Sequence, residues 1–195
     1  MIKYLITLSL ISILFSGCHP DKFTLNRHDQ YRVIGTILGD LDSFKQINDN
    51  SFSLKDGAIA LKCQRVTQLD IHFNYEVRTG DKIDFYLRNI ENKFDPEKGL
   101  KITISKSGTE VREDDKLILE DKDTKLTFGK TAYINFRNVG NILNFRHNCS
   151  DIKIKSRLPA TEYMLISADK QSEIYFSGMY FDRVLKTPAE IILGF

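Results

Sequence analysis

Residues 69–87 read LDIHFNYEVRTGDKIDFYL. Leu69, Ile71, Phe73, Tyr75 and Val77 alternate without a break with Asp70, His72, Asn74, Glu76 and Arg78. A period of two over this length specifies a strand with one buried face and one wet face. Thr79-Gly80-Asp81 then turns the chain, and Ile83, Phe85 and Leu87 alternate with Lys82, Asp84, Tyr86 and Arg88. The apolar residues of both runs must face the same way. A tight turn around Gly80 therefore sets Arg78 opposite Lys82, Glu76 opposite Asp84, Asn74 opposite Tyr86 and His72 opposite Arg88. The stretch predicts a central hairpin whose wet face carries His72, Asn74, Glu76, Tyr86 and Arg88.

The flanking sequence repeats this pattern in shorter pieces. Upstream, residues 31–38 are rich in β-formers (Val33, Ile34, Thr36, Ile37). Two short runs, residues 52–54 and 58–63, flank Lys55-Asp56-Gly57, and an Asp-Gly pair in that setting predicts a second hairpin. Downstream, Leu100, Ile102 and Ile104 mark a strand that Ser107-Gly108 turns toward residues 109–112. Residues 117–119 and 126–128 are short runs about a charged turn. Ala132, Ile134 and Phe136 in one run, and Leu143 and Phe145 in the next, predict a hairpin around Val139-Gly140-Asn141. The last run, residues 172–184, is interrupted at Ser177-Gly178, where the glycine predicts a bulge. The reading yields about twelve or thirteen short strands and no convincing helix. So many one-faced strands are buried by two stacked antiparallel sheets, so the expected class is an all-β, two-sheet antiparallel β-sandwich.

The N-terminus has a different character. Lys3 precedes an uncharged, mostly apolar run, residues 5–15, too short for the roughly 20 residues that span hydrocarbon. Phe15-Ser16-Gly17-Cys18 follows. This is the layout of a bacterial secretion signal, and the closing tetrad resembles the lipobox of bacterial lipoproteins, with Phe15 where the usual box has Leu. The resemblance implies cleavage before Cys18 and lipidation there, palmitate among the acyl chains. Each buried methylene contributes about 0.8 kcal/mol, so several chains together hold durably in a lipid bilayer. An ordinary secretory signal cut near Gly17 is the alternative. His19, rather than Asp, after the cysteine points to the outer membrane. The expected organisation is a signal peptide over 1–17, a lipidated N-terminus and tether over 18–30, a β-sandwich domain over 31–186 and a C-terminal tail over 187–195. Twelve tether residues reach at most about 40 Å. The tail can bury Ile191, Leu193 and Phe195 against the domain.

Removing 17 residues from 195 leaves 178, a length that suits one domain with a sizeable core. The net charge of +2 and scattered lysines argue against a nucleic-acid partner. With Cys18 lipidated, Cys63 and Cys149 remain. They either form a disulfide, which an exported compartment permits, or stay as two buried thiols. A disulfide requires their strands to be neighbours. His19, His28, His72 and His147 show no metal-ligand spacing, and no C-x-x-C occurs.

Three stretches resemble the concanavalin A-like lectin/glucanase jelly roll, and especially the exported 3-keto-disaccharide hydrolase-like and laminin-G-like domains. FSLKDGAIAL resembles the early Asp-Gly hairpin of such domains. LDIHFNYEVRTGDKIDFYLRN resembles their pair of long central strands. AYINFRNVGNILNFRH and EIYFSGMYFDRV resemble their Gly-Asn hairpin and last strand. The resemblance implies a concanavalin A-like jelly roll and a role in binding carbohydrate. Glucanases of this fold carry Glu-x-Asp-x-x-Glu or Glu-x-Asp-x-Glu on one strand, and this sequence has neither. Glu76 facing Asp84 is the remaining carboxylate pair, but the stronger reading is an ordinary solvated sheet face. No catalytic residues, cofactor or metal ligands are assigned. Calcium, common in this fold, would draw on Asp121 and Asp123 or on Asp40 and Asp42, in turns that otherwise simply face water. The chain has no Trp, so sugar stacking falls to Tyr and His. The expectation is a non-catalytic envelope lipoprotein that binds a glycan or another envelope protein. A structural subunit of an envelope complex is the second reading, and a glycoside-active enzyme the third.

Overall fold

The structure is a computed structural model, and it describes residues 22–25, 33–63, 69–88, 97–161 and 163–182. The signal stretch, Cys18 and the tail 187–195 lie outside the described residues. Among the described residues two antiparallel sheets form. The first has eight strands in the order β1 (Lys22–Leu25), β2 (Val33–Leu38), β5 (Ala58–Cys63), β14 (Tyr163–Ala168), β7 (Lys82–Leu87), β8 (Leu100–Ser105), β9 (Thr109–Glu113) and β10 (Lys116–Asp121). The second has seven, in the order β13 (Ser150–Lys155), β12 (Ile142–His147), β11 (Ala132–Val139), β6 (Leu69–Thr79), β15 (Glu173–Asp182), β4 (Ser51–Lys55) and β3 (Phe44–Asn48). The expected two-sheet sandwich is the observed architecture.

Alternation places the core between the sheets. Ile71, Phe73, Tyr75 and Val77 of β6 meet Ile83, Phe85 and Leu87 of β7 across it, all buried. Phenylalanine rings run through this layer from the β1 and β3 edges to β12. Phe23 stacks on Phe44 at 4.1 Å and Phe44 lies 5.5 Å from Phe52. Phe52 is 4.7 Å from Phe176, and Phe176 is 5.7 Å from Phe73. Phe73 leads to Phe136 at 6.3 Å, and Phe136 to Phe145 at 5.3 Å. Each such ring contributes about 1.5–3 kcal/mol by burial, with a further increment from ring–ring contact.

Two expected hairpins are instead crossovers between the sheets. β6 pairs with β11 and β15, whereas β7 pairs with β14 and β8. β4 likewise pairs with β3 and β15, and β5 with β2 and β14. Both crossovers are fastened at the same end, beside the turn between β14 and β15. The Thr79 hydroxyl donates to Gln171 O at 2.8 Å, and Asp56 N donates to Ser172 O at 3.2 Å. A Cβ on Gly80 would stand 1.9 Å from Ser172 Oγ, and one on Gly57 would stand 2.4 Å from Ser43 Oγ. Glycine is thus required at these positions by close approach to another segment, and not by a two-residue hairpin turn. The β8–β9 and β11–β12 hairpins form where the turn signals put them.

Three further expectations change. Lys22–Leu25, expected to be part of a tether, is an edge strand paired with β2, with Phe23 and Leu25 buried. Cys63 and Cys149 are not bridged. Cys149 is an exposed free thiol at the turn after β12, at the far edge of the seven-stranded sheet, whereas Cys63 ends β5 in the other sheet. The run 126–128 forms no ladder and touches β6 through a single Val77–Phe128 bridge. The bulge expected near Gly178 is present. Ser177 pairs with Asn74 and Tyr180 with His72, which leaves one extra residue on β15, and Gly178 adopts a φ of 59°.

One polar pair sits in the core. The Tyr75 hydroxyl and His147 Nε2 are 2.7 Å apart, and both residues are buried. Burial raises the Tyr75 pKa above its usual range and lowers that of His147, so His147 is neutral in the folded state. As pH falls through the ordinary histidine value, the unfolded chain takes up a proton that the folded chain refuses. Stability is therefore full above about pH 6.5 and declines below it, by at most about 1.4 kcal/mol per pH unit. His147→Gln removes this slope between pH 7 and 5; identical slopes in urea titrations of wild type and variant would contradict it. Gly35 faces Phe23, and a Cβ there would stand 1.9 Å from the ring. Gly35→Ala should expel that ring and cost about 3 kcal/mol, the scale of a lost buried phenylalanine. An unchanged urea midpoint would show that β1 is not held in this way.

Candidate functional site

The crossovers divide the five residues expected to share one face. His72, Asn74 and Glu76 lie on the outer face of β6, in the seven-stranded sheet. Tyr86 lies on β7, on the outer face of the eight-stranded sheet. There it is buried, with Lys101 Nζ 5.2 Å from its ring centre, and burial followed by the nearby Asp84 charge raises its pKa. Glu76 and Asp84 consequently stand on opposite sheets and cannot flank one bond. Asp84 accepts from Thr103 Oγ1 at 2.5 Å and lies 3.3 Å from Lys101.

Arg88 is not on a wet face at all. A φ of 56° ends β7 there, and the side chain enters the end of the sandwich, wholly buried. Arg88 Nε donates to Asn138 Oδ1 at 2.8 Å and Nη1 donates to Leu158 O. Burial pulls its pKa down and the charge of Glu113 opposes this. Burial acts to raise the Glu113 pKa, but donors from Ser156 Oγ and from Arg157 N and Nε hold it below the carboxylate range. This cluster ties β7 and β9 to the chain after β13. It borders a cavity of about 480 Å³ with Lys98, Gly99 and Asp114.

The calcium candidates serve as turn caps. The Asp121 carboxylate accepts from Thr124 Oγ1 at 2.6 Å and Asp123 N at 2.9 Å, which holds its pKa low. Asp40 Oδ1 accepts from Asp42 N at 3.0 Å. Among the described residues no three His, Cys, Asp or Glu side chains converge as a metal site.

What the structure does assemble is the outer face of the seven-stranded sheet. Register brings Asp151, Arg146, Asn135, His72 and Tyr180 into one row across five strands. Tyr133, Asn74 and Ser177 form the next row on one side, and Lys153, Asn144, Arg137 and Asp70 the next on the other. The His72 ring lies 5.4 Å from Tyr180 and 6.3 Å from Tyr133. Tyr180 is 45% exposed, and the extra residue at Gly178 is what turns it outward, since unbroken alternation from Phe176 would bury it. Asn135 Nδ2 donates to Asp70 Oδ1 at 3.0 Å and to Ile71 O at 3.1 Å.

Beyond the rings, Asn135, Asn144, Arg137, Arg146, Asp151 and Lys153 line a groove of about 400 Å³. Arg146 clasps Asp151 through two hydrogen bonds of 2.7 and 2.8 Å, which hold the Asp151 carboxyl below its usual range. Arg137 Nε is 3.7 Å from Asp70. The face therefore combines flat apolar ring surfaces with amides that both donate and accept, the chemistry that matches a polyhydroxylated ring. Tyr133, Asn135 and Tyr180 were missed by looking for one hairpin. The alternation of AYINFRNV signalled the first two, and the parity shift at Gly178 signalled the third.

No protein-family model matches the sequence, and no curated protein matches it. Solved structures do resemble the fold. The carbohydrate-binding module CBM66 from Bacillus subtilis has a TM-score of 0.52 at 12% identity, over 84% of this chain and 96% of that one. A putative glycosyl hydrolase from Parabacteroides distasonis has a TM-score of 0.57 at 11% identity, over 77% and 99%. The exoplasmic/lumenal domain of VIP36, in a Ca2+/Man3GlcNAc-bound form, has a TM-score of 0.51 at 13% identity, over 89% and 93%. At these identities the likeness establishes a shared lectin-like, jelly-roll β-sandwich fold.

Proposed function

We propose that this protein is a non-catalytic envelope lipoprotein, anchored through Cys18 to the outer membrane, that binds carbohydrate on the outer face of its seven-stranded sheet. The observation that carries the binding reading is the ring cluster Tyr133, His72 and Tyr180, spread over two adjacent rows and set among Asn74, Asn135 and Asn144. Rings stack against the apolar face of a sugar, and the amides answer its hydroxyl groups. Fold neighbours named as a carbohydrate-binding module and as a mannose-oligosaccharide-bound domain support the same reading. The anchor reading is supported by the lipobox-like Phe15-Ser16-Gly17-Cys18. The glycosidase reading has lost its carboxylate pair, with Glu76 and Asp84 on different sheets.

One observation favours a second reading, docking to another envelope protein. The edge strand β10 exposes Leu117 at 44% and Ile118 at 39%, and a partner chain would cover such an edge.

On an envelope-glycan array, Tyr180→Ala and His72→Ala should each weaken binding at least about tenfold, equivalent to 1.4 kcal/mol. Tyr86→Phe, on the opposite sheet, should bind as wild type does. Full binding by both alanine variants would refute the site, and a loss confined to Tyr86→Phe would move it to the other sheet.

A further inference from the structure

The edge strands β1 and β3 close one side of the sandwich together. Gln46 Nε2 donates to Thr24 O at 2.9 Å, and Phe23 stacks on Phe44 beneath them. This side carries two of the exposed large apolar residues, Leu41 at 45% and Ile47 at 49%. Lys22 and Lys45 are exposed beside them. It is also where the described chain begins. Cys18 precedes Lys22 by four residues, a reach of at most roughly 14 Å.

We propose that the β1–β3 side of the sandwich rests on the bilayer that holds Cys18, with Leu41 and Ile47 seated in the interfacial layer. The inference rests on the lipoprotein reading above. Two apolar side chains are too few to hold a protein on lipid by themselves. They need only orient a body that the anchor already keeps within a few residues of the surface, where the local concentration of lipid is very high. Charge is close to balanced on this side. Asp40 and Asp42 flank Leu41, against Lys22 and Lys45, so the contact does not depend on anionic lipid.

The orientation has a consequence for the glycan face. With β3 against the membrane, six strand spacings of about 4.8 Å place β13 roughly 29 Å farther out. The groove between β11 and β13 then lies at the end of the sheet far from the bilayer.

The chain has no tryptophan, so one introduced residue is a sole reporter. Ile47→Trp and Leu41→Trp report on the proposed contact, and Ile118→Trp on β10 reports on the opposite edge. Each would be expressed in full length, labelled with fatty acid, and reconstituted into phosphatidylcholine vesicles with and without brominated phosphatidylcholine. The proposal expects the emission of the Ile47→Trp or Leu41→Trp protein to shift to the blue and to be quenched by the brominated lipid, with the Ile118→Trp emission unchanged. Equal quenching at both edges, quenching of the Ile118→Trp protein alone, or quenching at neither edge overturns the orientation. Absence of fatty acid on Cys18, checked against Cys18→Ala, overturns the anchor and the orientation with it.

Discussion

Phe23, Phe44, Phe52, Phe176, Phe73, Phe136 and Phe145 stand in ring-to-ring sequence from the β1–β3 side of the sandwich to β12. One comes from β1 and six from the seven-stranded sheet, so six of that sheet's strands each commit one face to this layer. A slip of one residue in β6 would put Phe73 and Tyr75 in water and drive Asp70, His72 and Glu76 into the core. The outer faces are what remains once that layer is satisfied. The cluster of His72, Tyr133 and Tyr180 on one outer face is thus a consequence of core packing.

Much of this was legible in the residues. The strict alternation of Leu69 to Val77 identified β6 and its two faces correctly, and Gly178 marked a bulge that exists. Alternation fixes which face of a strand is buried but not which strand lies beside it. In a sandwich, two successive strands with inward apolar faces look the same in sequence whether they pair in one sheet or oppose each other across the core. Gly80 and Gly57 looked like hairpin turns, but at both a Cβ would collide with another segment, at Ser172 and Ser43, and Gly80 also takes a φ of 106°. For the same reason the five residues expected on one face are divided. His72, Asn74 and Glu76 share the outer face of β6, whereas Tyr86 faces the other side and Arg88 is inside. No local signal distinguishes Arg88, because its burial depends on Asn138 and Leu158 from other segments.

The same topology relates the proposed anchor to the proposed binding face. β1, the first described strand, is an edge strand, stapled to the edge of the opposite sheet through Gln46 and Thr24. The groove between β11 and β13 lies at the other side of the sandwich, beyond β4, β15 and β6. An anchor at Cys18 would therefore stand far from the groove, an arrangement in which a short tether would cost the proposed site no access. The mixed charge of the groove, with Arg146 already held by Asp151 and Arg137 beside Asp70, favours hydroxyl-rich ligands over strongly charged ones.

Hydrogen exchange of the backbone amides, measured with and without a saturating envelope glycan, tests the central claim most directly. The account predicts added protection in β6, β11, β12 and β15, whose outer residues form the ring row and the groove, with the eight-stranded sheet unchanged. Protection confined to β7, β14 and β8, or to the cavity beside Arg88 and Gly99, would contradict it.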